Sequence, residues 1–129
     1  MVTYNGWIEI WADIDGESDE LIEPKLKQIS VFITEHAINE SNVSIKAING
    51  IHFMQLVGHT NRYHQGVENI LGLIHFVAKI AVGSHGLLYF RDEDNEEKYN
   101  EYIVYRIARG KVTQFKDTFL SPCNPTIEE

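Results

Sequence analysis

Six histidines, one cysteine and several carboxylate clusters are the side chains here that could carry chemistry. His59 and His64 bracket the "GHTNRYH" loop, and His52 comes just before them in an apolar stretch. Three imidazoles can hold zinc and activate a water, which would make a small metal-dependent hydrolase using His52, His59 and His64. Zinc needs three or four ligands in tetrahedral geometry, and the His59-x4-His64 spacing is loose, with no cysteine nearby and no HExxH helix. A polar loop leading into a helix is the simpler reading. "GSHG", residues 83–86, lacks the G-x-S-x-G frame of a nucleophile elbow. It reads instead as a helix C-terminal turn with Gly83 in the left-handed position.

The remaining candidates are weaker. Cys123, between Pro122 and Asn124, has no basic neighbour to favour its thiolate, so a structural role is expected. His75 sits beside an apolar helical stripe as a boundary residue, and His36 ends a helix, where a cation suits the dipole. There is no phosphate-binding glycine loop and no basic–aromatic weave for RNA. The expectation is a protein with no enzymatic activity, no cofactor and no metal. A binding module remains.

Acids are the more informative feature. Asp92, Glu93, Asp94, Glu96 and Glu97 crowd into six residues between two apolar runs. They either keep a hairpin tip in water or meet something positive. The net charge of −8 is unevenly spread: residues 1–23 hold seven acids and no Lys or Arg, and residues 92–101 hold six acids against Lys98. Between and after these segments the chain is slightly positive. Such a protein is expected to repel nucleic acid unless the fold gathers a basic face, and its natural partners are cationic. Glu17, Asp19, Glu20 and Glu23 need no partner, because acids at a helix N-terminus are stabilised by the dipole, by ~0.3–1 kcal/mol each.

The scaffold that must position these groups is a single domain over residues 1–129. Its 43% apolar and 11% aromatic content is that of a globular chain. No apolar run approaches the roughly 20 residues of a membrane span, and "MVTYNGWIEI" is no secretory signal. With one cysteine and therefore no internal disulfide, a cytoplasmic protein without membrane partners is expected.

Residues Thr3 to Ala12 alternate as a strand, Tyr4, Ile8 and Ile10 on one face and Trp7, Glu9 and Trp11 on the other. Ile22, Leu26, Ile29, Ile33 and Ala37 form one helical stripe, with Pro24 in the first turn. Val43, Ile45 and Ala47 alternate up to Asn49-Gly50, a type I′ hairpin signal, and Ile51 to Val57 returns. His64 to Ala81 reads as a second helix, with Gly72 inside it predicting close packing against a sheet. Leu87 to Arg91, Tyr102 to Ala108 and Val112 to Lys116 are strands, and "FLSPCNPTIEE" is extended coil. The order β-α-β-β-α-β-β-β predicts an α+β fold, an antiparallel or mixed sheet with two helices on one face.

Three blocks carry a resemblance: "YNGWIEIW" near the start, "GSHGLLYFRDED" at 83–94 and "FLSPCNPTIEE" at the end. Together they make the chain similar to the immunity protein 7 family of bacterial polymorphic toxin systems, over nearly its whole length. The resemblance implies an α+β protein that binds and neutralises the C-terminal toxin domain encoded beside it, without a catalytic or metal site. It does not name the toxin; domains that attack nucleic acid through a basic cleft are one class that carboxylates can occupy.

The interface candidates are then Asp92, Glu93, Asp94, Glu96 and Glu97, followed by Glu17, Asp19, Glu20 and Trp11. Trp7 is read as core. If the helices cover the Tyr4/Ile8/Ile10 face, both indoles lie on the open face instead. A different class, a homodimeric regulatory protein that pairs edge strands, stays open, so the free protein is expected as a monomer or a homodimer.

Overall fold

The computed structural model describes residues 1–14 and 21–123. Eight elements follow in chain order: β1 (Val2–Ile10), α1 (Ile22–Glu35), β2 (Val43–Ile48), β3 (Ile51–Thr60), α2 (Gln65–Ile80), β4 (His85–Asp92), β5 (Ile103–Ala108) and β6 (Lys111–Lys116). They form one six-stranded sheet in the order β2-β3-β1-β4-β5-β6, every neighbour antiparallel. The predicted class and element order both hold.

Turn chemistry sets the two tightest connections. Asn49 and Gly50 take φ of 54° and 82°, and Arg109 and Gly110 take 52° and 77°, the paired left-handed conformations of a type I′ turn. This turn matches the right-handed twist of the flanking strands, which is why two residues suffice.

The core lies on one side of the sheet. Tyr4, Ile8 and Ile10 of β1 are buried with Met54 and Leu56 of β3 and Leu88 and Phe90 of β4, under Val67, Ile70, Leu73, Ile74, Val77 and Ala78 of α2. α1 buries only Ile29 completely and packs Leu26, Phe32 and Ile33 partway against the same cluster. α2 is therefore the central helix and α1 the peripheral one. Glu23 stands in the first turn of α1, where the dipole favours it.

Several local expectations are corrected. Trp7 is not core: it is 43% exposed on the face that the helices leave open. Ala37 lies one residue past His36, the C-cap of α1, exposed and at a φ of 50°, and so does not extend the helical stripe. Gly72 faces Phe32 of α1 rather than the sheet, and a Cβ there would meet the ring at an ordinary 3.7 Å. Gly83 is not left-handed. Its constraint is steric, since a Cβ would fall 1.7 Å from the Asp13 carbonyl oxygen.

Candidate functional site

The three histidines of the metal reading do not converge. His52 pairs with Ile10, and His59 pairs with Thr3 near the other end of β3. Seven residues apart on a strand, they leave opposite faces about 23 Å from one another. His59 Nδ1 lies 2.8 Å from the Thr3 hydroxyl, and His64 spends its Nδ1 accepting the Gly66 N–H at 2.9 Å as the N-cap of α2. Among the described residues no three His, Cys, Asp or Glu side chains are placed to share a metal.

Ser84 of the "GSHG" stretch is buried and serves the backbone: its Oγ accepts the Trp11 N–H at 3.1 Å and donates to the Trp11 carbonyl at 3.4 Å. It ties the residue after β1 to the start of β4. His75 is exposed on α2, and His36 caps α1 with its ring stacked on Phe32.

The acidic stretch is a folded loop, not a bare hairpin tip. Asp92 is the last residue of β4, paired with Val2, and its Oδ1 accepts the Asp94 N–H at 3.0 Å. Arg91 holds Glu93 at 3.7 Å and donates from Nε to the Tyr99 carbonyl at 3.0 Å. Asp94 lies 3.3 Å from the N-terminal ammonium, while the Glu93 N–H reaches the Met1 carbonyl at 2.9 Å. Asn95 Oδ1 accepts from the N–H groups of both Glu97 and Lys98. Three of the five carboxylates thus have local partners. Glu96 and Glu97 are exposed and have none among the described residues.

A second group lies at the other end of β1. Glu9 Oε1 accepts the Trp11 indole N–H at 3.0 Å, and Oε2 stands 3.2 Å from His85 Nε2. The Trp7 and His85 rings meet edge to face with centroids 6.2 Å apart. Trp7, Glu9 and Trp11 share the open face with Leu87 and Tyr89 of β4 and Arg106 of β5, whose guanidinium lies 4.7 Å over the Phe115 ring. Trp11 and the acidic loop are separated by the length of β1, about 30 Å for nine residues. Glu17, Asp19 and Glu20 lie outside the described residues.

Residues 124–129 of the expected C-terminal coil lie outside the described residues, and the part up to Cys123 is not plain coil. Asp117 is buried, which opposes its charge, yet it accepts the N–H groups of Phe119 at 2.9 Å and Leu120 at 2.8 Å and the Ser121 hydroxyl at 2.9 Å. These bonds outweigh the burial and hold the carboxyl below its usual range. Ser121 Oγ in turn accepts the Tyr102 N–H at 2.9 Å, and the Cys123 N–H reaches the Asn100 carbonyl at 2.9 Å. The turn is strapped to the base of the acidic loop. Sequence reading missed this, along with the Glu9–His85 contact, because each joins residues that are far apart or of unremarkable type.

A family model described as Immunity protein 7 matches residues 1–129, the whole chain. The chain belongs to the immunity protein 7 family. No curated protein and no solved structure matches it. Membership makes this an immunity protein of a toxin system, whose partner is the cognate toxin protein.

Proposed function

We propose that this immunity protein neutralises the C-terminal toxin domain of a cognate polymorphic toxin by covering its active cleft. The acidic loop steers the encounter and partly docks into a basic surface. The observation that carries this reading is that Glu96 and Glu97 are exposed and have no partner among the described residues, in a loop where Asp92, Glu93 and Asp94 already have local ones. Acids needed only for solubility gain nothing from such crowding, since like charges held this close raise one another's energy. Complementary potentials, by contrast, lift association above the roughly 10⁵–10⁶ M⁻¹s⁻¹ of neutral pairs.

The test uses the C-terminal domain of the toxin encoded beside this gene. Replacing Asp92, Asp94 by Asn and Glu93, Glu96, Glu97 by Gln should slow association at low salt. It should also flatten the salt dependence, because the Debye length falls from ~10 Å at 0.1 M to ~3 Å at 1 M. Unchanged rates would reduce the loop to a solvated connection and move the interface to the open face around Trp11.

A further inference from the structure

Charge accelerates an encounter but holds a complex poorly, so a steering loop needs an apolar contact beside it. Phe119 is 86% exposed and Leu120 57%, the former the most exposed large apolar side chain among the described residues. A single exposed apolar residue means little on its own. These two differ in being fixed: the backbone N–H of each is tied to the buried Asp117 carboxylate. The turn is thus prepared in one conformation, and little ordering entropy remains to be lost when its side chains are covered.

Its position is equally specific. The Ser121–Tyr102 and Cys123–Asn100 bonds place the turn against the C-terminal base of the acidic loop. Tyr99 at 56% and Phe115 at 43% are exposed in the same corner, where Tyr102, Ile103 and Phe115 help line a shallow groove of about 200 Å³. Exposed apolar side chains therefore stand on the turn, on Tyr99 of the loop and on Phe115 of the groove-lining strand, all in segments joined to a stretch holding six acids and one lysine. That combination fits a protein surface that is basic with an apolar pocket at its edge.

Resting on the proposed toxin-binding role, we infer that the Phe119–Leu120 turn is the apolar anchor of the interface. It enters a pocket bordering the basic surface of the toxin domain, and the loop brings it there. The two parts divide the kinetics, the loop setting the rate of arrival and the turn the time of residence.

Surface-immobilised toxin domain, the C-terminal domain encoded beside this gene, distinguishes the outcomes. Phe119→Ala should raise the dissociation rate about tenfold or more and leave association within about twofold. Phe119→Leu should recover most of the lost residence time. The five-carboxylate variant should do the reverse, slowing arrival. Thermal melting serves as the control, because an exposed ring contributes little to folding and Phe119→Ala should melt with the parent protein. Parental dissociation rates for both Phe119→Ala and Leu120→Ala would overturn the inference. So would a parental dimer that Phe119→Ala converts to monomer, since the turn would then serve a second copy. Failure of the parent protein to bind the toxin domain would remove the proposed function itself, and shows before any substitution is made.

Discussion

Glu9 and His85 meet across the β1–β4 pair, Oε2 to Nε2 at 3.2 Å, on the sheet face opposite α1 and α2. The same carboxylate fixes the Trp11 indole through its other oxygen. Glu9→Ala should free both rings at once, shift the tryptophan emission and lower stability by about 0.5–1 kcal/mol, a modest loss because the pair is partly solvated. Glu9→Gln keeps an acceptor for the indole and should retain the parental emission. A spectrum altered equally by both variants would show that charge, rather than the hydrogen bond, orients Trp11.

Asp117 makes stability depend on acid in a defined direction. Its carboxyl titrates below the ordinary 3.8, so the stabilisation from its charged form is fully present above 3.8 and is lost as pH falls through the folded value. Asp117→Asn should lower the melting temperature at pH 7 and at pH 5 alike. The gap from the parent protein should close only below about pH 4. A gap already closing near pH 6 would point to a different group.

Two glycines offer opposite outcomes. Gly72→Ala adds a methyl group at ordinary contact distance from Phe32 and improves helix propensity, so α2 should gain up to about 1 kcal/mol. Gly83→Ala forces a Cβ into the Asp13 carbonyl and should cost about 3 kcal/mol or more. Urea titration of the two proteins checks both signs. Destabilisation by Gly72→Ala would mean that Phe32 has no room to yield.

His64→Ala removes the only side-chain cap seen at the start of α2 among the described residues and should cost about 1 kcal/mol. The loss should be the same with and without a chelator, because His64 Nδ1 serves the Gly66 N–H. A chelator that destabilises the parent protein but not His64→Ala would restore a metal role for this loop.

Local chemistry was legible from the sequence. The Asn49-Gly50 turn, the apolar stripe of α2 and the alternation of Tyr4, Ile8 and Ile10 each depend on neighbours within a few residues. Trp7 was misplaced because both faces of β1 carry large aromatic side chains, and only the docking of the helices decides which face is covered. Gly83 follows a helix and so resembles a cap, but the true constraint comes from Asp13, distant in sequence and adjacent in space. The turn at Asp117 was hidden for another reason. Its buried carboxylate serves three residues just downstream, and "DTFLS" shows no periodicity that would reveal the bonds. Of the site, the acidic loop was evident as composition, whereas the Arg91, Asn95 and Met1 contacts that shape it became visible only in three dimensions.

The place of β1 at the centre of the sheet sets an order on assembly. β2 with β3 and β4 with β5 and β6 are joined by connections within their own segments, so each group can pair as soon as it exists. β1 precedes both of its partners in the chain, and they end only at Thr60 and at Asp92. Such non-local pairing is the slow part of folding, because long loops must close before any contact repays them. A chain released before Asp92 has a β1 with one bare edge, no anchor for Trp11 at Ser84, and no loop to stitch to Met1. The Trp11 anchor and the shaped acidic loop are therefore late products of synthesis, and a shortened chain would carry neither.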